Sequence, residues 1–260
     1  MSDVKNDVKK EIEELRKLIE YHNDRYYNQD DPEISDYEYD QLTLRLRKLE
    51  EEYPEYKSAD SPTQKVGGRA KREAGVLVKH NVPMLSLQDV FSKDEVYSFV
   101  ERILKERSDT VFVVEKKIDG LSVSLRYQDG RFVQGITRGD GINYGEDVTE
   151  NIKMINDAVF TLKDPVPYLE VRGEVYMKTK DFEAVNERLE AEGKKVFANP
   201  RNCAAGTLRQ LDPQVVKERG LSLFVFNVQD ARGISFVNHS ESLEWLREQG
   251  FKVIEGYKLC

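Results

Sequence analysis

With 260 residues, 39% of them hydrophobic and 10% aromatic, the chain has enough apolar material for a core of its own, which excludes wholesale disorder. A net charge of −8, from 40 basic and 48 acidic residues, argues against a simple nucleic-acid binder, whose phosphate contacts need a positive surface. No run approaches the roughly eighteen apolar residues of a membrane helix, and the start, MSDVKNDVKKEIEELRK, lacks a signal-peptide core. The two cysteines, Cys203 and Cys260, exclude a disulfide framework and a four-cysteine zinc site. Together these predict a cytoplasmic chain with no membrane partner and no zinc.

Residues 1 to about 56 read as a helical hairpin. Val8, Ile12, Leu15, Ile19, His22 and Tyr26 recur at steps of three and four, the spacing of one helix face. Asp31-Pro32 interrupts, Ser35 with Glu38 forms a capping-box pattern, and Tyr39, Leu42, Leu46, Leu49 and Tyr53 give a second apolar face that Pro54 ends. Residues 57–90 lack periodicity and read as a long irregular connection, functional or mobile. Within it Lys65, Arg69, Lys71, Arg72 and Lys79 face Glu73 alone, a local charge of +4 that reads as a solvated loop or as a DNA contact.

Ser92 and Glu95 repeat the capping pattern and predict a helix to about residue 107. VFVVEKKID (111–119), LSVSLRY (121–127) and RFVQGITR (131–138) predict strands, the last two joined by an Asp129-Gly130 hairpin turn. YLEVRGEVYM (168–177) is another strand. A helix runs from Thr179 to Gly193, and a shorter one from Asp212-Pro213 to Gly220. Strand LSLFVFNV (221–228), a helix from Ser240 to Gly250 and a strand-like FKVIEGY (251–257) complete the pattern. Antiparallel clusters with helices between them predict an α+β fold: a helical subdomain over residues 1–70, then a core of antiparallel sheets flanked by helices over 71–260.

The strongest local chemistry is Glu115-Lys116-Lys117-Ile118-Asp119-Gly120. On a strand, Glu115, Lys117 and Asp119 share one face and Lys116 and Ile118 the other. Taken alone, a lysine between two carboxylates reads first as an ion pair and only second as a nucleophile. Its company changes that balance. Downstream follow Thr137-Arg138-Gly139-Asp140-Gly141, then Glu170-Val171-Arg172-Gly173-Glu174-Val175, with Arg172 and Glu174 on one strand face, then Phe197-Ala198-Asn199-Pro200-Arg201-Asn202, continuing to Arg209 and Asp212-Pro213.

In this order these stretches resemble motifs I, III and IIIa of the lysine-adenylating nucleotidyltransferases, and specifically the bacterial NAD-dependent DNA ligases. Tyr26 with the run Asp31 to Asp40 resembles the small helical domain of that branch, and SPTQKVG (61–67) and HNVPMLSL (80–87) also match. The resemblance covers essentially the whole chain. A triphosphate-using RNA ligase or capping enzyme has no need of the Tyr26–Asp40 hairpin.

The resemblance implies an adenylating enzyme in which Lys117 attacks the α-phosphorus of NAD, expels nicotinamide mononucleotide (NMN) and keeps AMP, later passed to a 5′-phosphate at a DNA nick. Attack needs a neutral amine, and free lysine titrates near ~10.4; Arg138, Arg201 and Arg209 are the implied cations around it and the reacting phosphate. Glu115 is implied as the acceptor of the adenine amino group. Asp119 and Glu174 are implied as acids supporting ribose and, with it, magnesium, although the metal ligands themselves stay unassigned. Ser86 and Leu87 match the pocket lining. Phe226 falls where the family places a ring against adenine, and reads equally as core. Cys203 reads as a buried small hydrophobe.

On the hairpin, Asp36, Tyr39 and Asp40 share a helix face. They read as a capped helix start or, by the resemblance, with Tyr26, as the site for the NMN half of NAD. The role of Tyr27 is open, and His22 reads equally as packing or as a ligand. The family's pattern continues beyond Cys260 with two more lysine-bearing motifs and further domains. The resemblance therefore implies a C-terminally incomplete core, nicked duplex DNA as partner of the full-length enzyme, and no nick sealing by these 260 residues alone.

Overall fold

The computed structural model describes residues 2–25, 33–58, 61–63 and 75–260, with the side chains of 2–6, 36 and 37 left aside. Tyr26, Tyr27, the side chain of Asp36, and most of the SPTQKVG motif and of the basic stretch therefore lie outside the described residues.

Two helices, α1 (Ser2–Asn23) and α2 (Asp36–Glu52), pack on one another. Their apolar faces form a small core of Ile12, Ile19, Leu46 and Leu49, each at most 3% exposed. The predicted capping box is present: the Ser35 hydroxyl accepts from the Glu38 amide, and the Ser35 amide donates to the Glu38 carboxylate at 2.8 Å. Arg16 of α1 donates to Glu50 of α2 at 2.6 Å and to the carbonyl of Tyr56 at 2.6 Å. Burial pushes the Glu50 carboxyl up, but hydrogen bonds from Ser61, Thr63 and Arg16 outweigh it and hold the group below its usual range. That buried acid ties the hairpin to the segment leaving it.

The remaining elements are β1 (Leu77–Lys79), α3 (Lys93–Glu106), β2 (Val113–Val114), β3 (Leu121–Gln128), β4 (Arg131–Thr137), β5 (Tyr144–Glu146), α4 (Thr149–Ile152), β6 (Tyr168–Tyr176), α5 (Thr179–Ala191), α6 (Pro200–Leu208), α7 (Pro213–Arg219), β7 (Ser222–Arg232), α8 (His239–Glu248) and β8 (Lys258–Leu259). A four-stranded antiparallel sheet, ordered β4-β3-β6-β7, is the frame. Two short antiparallel pairs, β1–β5 and β2–β8, flank it. The class is α+β. No helix among the described residues is long and apolar enough to cross a membrane.

Strand alternation sorts the sheet's residues onto two faces. Val123, Leu125 and Tyr127, Leu169, Val171 and Val175, and Leu223 and Val225 enter one core with residues of α4 to α8, each at most 1% exposed. The other face carries Ser122, Ser124, Arg126, Glu170, Arg172 and Glu174. The Asp129-Gly130 turn has positive φ at both residues, 48° and 73°, as a two-residue hairpin with this twist requires.

Three expectations are corrected. The strand predicted over 111–119 is paired only at Val113–Val114, so the alternation argument for Glu115, Lys117 and Asp119 does not hold. After Val114 the chain pairs again, among the described residues, only where Leu121 meets Val175, and at the preceding Gly120 a Cβ would lie 2.2 Å from the carbonyl oxygen of Val175, an approach that only glycine allows. The strand-like 251–257 is irregular, and pairing begins at Lys258. The segment 57–90 is not wholly irregular, since β1 pairs with β5.

Candidate active site

A cavity of about 930 Å³ lies between the hairpin and the polar face of the sheet. The hairpin contributes His22, Tyr39 and Asp40 to its wall, and the segment before α3 contributes Ser86 and Leu87. The chain between β2 and β3 brings Glu115, Lys116 and Lys117. The sheet adds Arg172, Glu174 and Phe226, and Arg138 follows directly on β4; Arg201 and Arg209 stand at the two ends of α6. Every predicted site residue with a described side chain borders this one cavity except Asp119. Its carboxylate is 62% exposed and pairs at 3.1 Å with Arg201, which does border it.

Both lysines of motif I reach the cavity, so position alone does not separate them. They differ in the charges they act on. Burial raises the Glu174 carboxyl above its ordinary range, and the positive charges of Lys117 and Arg201, with a Ser122 hydrogen bond, pull it back only in part, while Asp119 adds to the rise. Lys117 is thus the motif lysine whose charge acts on the buried acid.

Helix α6 explains how two arginines come to one cavity. Asn199 caps it by accepting from the Asn202 amide, and Pro200 occupies its first turn. Its body, Asn202 to Leu208, is buried, which fixes the helix and leaves Arg201 and Arg209 at its ends. Arg209 pairs with Glu146 of β5 at 3.2 Å. Burial pushes the thiol of Cys203 on this helix up to about 11, as befits a packing residue rather than a nucleophile.

Arg138 and Arg172 stand close enough for the charge of one to act on the other. Arg138 donates to the Met84 carbonyl at 3.0 Å and to the Ser86 hydroxyl at 2.7 Å, and Arg172 donates to the Leu85 carbonyl at 3.2 Å. Burial and then the Arg138 charge lower the Arg172 pKa. Two close guanidiniums in a cavity wall concentrate positive charge there. The Arg172 guanidinium lies 5.5 Å from the centroid of Phe226. Phe226 belongs to the cavity wall and not to the helical core.

Residue-pattern reasoning missed two members of the wall. Arg172 was visible only as the strand-face neighbour of Glu174. His239, the first residue of α8, lies 3.0 Å from Glu115 Oε2 through its Nε2. Nothing local marks it, because the contact spans 124 positions. The second carboxylate oxygen, Glu115 Oε1, is buried and has no hydrogen-bond partner.

The description "NAD-dependent DNA ligase adenylation domain" matches residues 75–260, and "DNA ligase-like, N-terminal NAD+-binding domain" matches residues 5–67. The chain belongs to the NAD-dependent DNA ligase family. Proteins named DNA ligase from Clostridium kluyveri and Acetivibrio thermocellus are 58% identical over 254 residues and 54% identical over 255, each alignment covering 98% of this chain and 38% of the relative. One from Clostridioides difficile is 48% identical over 254 residues, covering 97% and 37%. The chain therefore spans somewhat over a third of the length of these relatives.

Proposed function

We propose that this chain carries the self-adenylating step of a DNA ligase, with NAD as the AMP donor and Lys117 as the acceptor. The observation that carries the reading is the single cavity in which Lys117, a desolvated carboxylate, four arginines and a carboxylate with an unpaired oxygen converge, walled on its far side by the hairpin that matches an NAD+-binding domain. In the step, Lys117 Nζ bonds to the α-phosphorus and the P–O bond to the NMN phosphate breaks. The electron pair leaves on NMN, and the amine's surplus proton passes to solvent.

Each neighbour has a part that its surroundings support. Arg138, Arg172, Arg201 and Arg209 supply positive charge where phosphate charge concentrates. Glu115 accepts from the adenine amino group, and Ser86, Leu87 and Phe226 enclose the base. Tyr39 and Asp40, with Asp36 and Tyr26, hold the NMN half; the Tyr39 hydroxyl is fixed by donating to Asn23 at 2.8 Å. Nicked duplex DNA is the partner to which the whole protein passes AMP.

Magnesium fits the donor set. Burial disfavours the charge of Glu174 and the Asp119 carboxylate adds a little to that, and a cation between them would offset both. Among the described residues no group of three or more His, Cys, Asp and Glu forms an all-protein cage. That suits an ion bound through one or two carboxylates plus substrate phosphates. Bound there, it would supply shielding of phosphate oxygens.

Incubation with NAD, and separately with ATP, tests the reading by intact-mass spectrometry. One adenylyl group gained from NAD and none from ATP is expected. Equal transfer from ATP, or no gain from NAD, overturns it.

A further inference from the structure

We infer that His239 is a positioning residue for base selection, acting by fixing the orientation of Glu115. The inference rests on the adenylation reading and deepens it by assigning discrimination at the base to a pair rather than to one carboxylate.

Glu115 sits in the stretch between β2 and β3 that has no ladder to hold it. A carboxylate on such a segment is free to rotate, and rotation would exchange its two oxygens. His239 removes that freedom. It opens α8, where Asn238 caps the helix by accepting from the Glu241 amide at 2.9 Å and the Ser242 hydroxyl donates to the His239 carbonyl at 2.7 Å. From this rigid position its Nε2 meets Glu115 Oε2 at 3.0 Å. Because an ionised carboxylate only accepts, Nε2 carries the proton in this contact.

The consequence falls on the other oxygen. With Oε2 occupied, Oε1 remains as a buried acceptor without a partner, on a residue that lines the cavity. Such an atom favours a ligand that presents an N–H and disfavours one that presents a carbonyl oxygen at the same place. An exocyclic amine, as on adenine, meets that demand. The keto group of hypoxanthine does not. Loss of the His239 contact lets the carboxylate turn, and the demand blurs.

The test compares lysyl-nucleotide formation from NAD and from nicotinamide hypoxanthine dinucleotide on the same protein preparation. Their ratio is independent of the folded fraction. His239→Ala is expected to lower the preference for NAD about 10-fold, the scale of one hydrogen bond to a charged group. His239→Gln, whose amide can donate from nearly the same place, is expected to restore most of it. An unchanged ratio in His239→Ala overturns the inference, as does failure of His239→Gln to recover more than His239→Ala. Should His239→Ala give no adduct from either dinucleotide, calorimetry with AMP and IMP reads the same ratio, and wild-type discrimination there overturns it equally. Glu115→Gln is the separating control. If that variant keeps the wild-type ratio, the assignment of Glu115 to the base fails; if it changes while His239→Ala does not, only the role of His239 fails.

Discussion

Glu170 and Glu174 leave the same face of β6, and their surroundings are opposite in kind. Glu170 is fully buried, yet Ser124 donates to it at 2.6 Å, Tyr168 at 2.6 Å and Arg126 at 3.2 Å. Arg126 is itself satisfied by the Lys79 carbonyl and Gln134. Burial and the Glu170 bond push the Tyr168 phenol up to about 12. At this closed end, donors and acceptors are matched inside the protein. At the open end Glu174 has its charge disfavoured by burial, Arg172 Nε and Glu115 Oε1 are buried without partners, and Arg138 and Arg172 crowd one another. Buried polar groups left unmatched cost stability unless something else completes them. The contrast separates a carboxylate that holds the fold from one that the proposed function places at a ligand site.

Substitutions at the two ends should therefore fail differently. Glu170→Ala leaves Arg126 buried without its carboxylate and is expected to cost about 3–5 kcal/mol of stability; a denaturant titration showing less than about 1 kcal/mol, the value of an exposed pair, would make the closed end decorative. Glu174→Gln is expected to slow adduct formation about 100-fold, the scale of one lost electrostatic group in a reacting site. Its stability should move the other way. A raised carboxyl pKa means that the folded state keeps its proton to higher pH than the unfolded chain, so Glu174's contribution is intact below its ordinary value of 4.5 and declines as pH rises toward the folded one. The variant lacks that decline and should gain on the wild type as pH increases; a constant difference from pH 4 to 8 would contradict the assigned cause.

The smallest effect belongs to the hairpin. Tyr39→Ala should weaken binding of NMN about 10-fold, the loss of one stacked and hydrogen-bonded ring, and leave AMP binding to the sheet unchanged. Calorimetry with each half of NAD separates the outcomes, and equal losses would show that the hairpin merely supports the fold.

Much of this contrast was legible in the residues. The period of two in β3, β6 and β7 separated Arg172 and Glu174 from Val171 and Val175, and capping residues placed α2, α3 and α7. The ordered motifs brought Glu115, Lys117, Arg138, Arg201 and Arg209 together before any fold was known. What stayed hidden depends on distant partners. The segment 115–119 looks like a strand by composition, but among the described residues it has no strand beside it, and the close approach of Gly120 to Val175 comes only from the fold. Helix α6 lacks an amphipathic period because Cys203, Ala204, Ala205 and Gly206 are buried all round, although Asn199-Pro200 was a cap signal that could have revealed it. His239 has no local signature, since its partner is reached only through the packing of α8 against β7.

The central claim is that the open end of the sheet makes Lys117, and no other lysine, the AMP acceptor. Peptide mapping after incubation with NAD tests it most directly, on the wild type and on Lys116→Ala and Lys117→Ala. The account predicts an acid-labile adenylyl group on Lys117 in the wild type, its retention in Lys116→Ala and its complete absence in Lys117→Ala. An adduct on Lys116, or one that persists in Lys117→Ala, would contradict it.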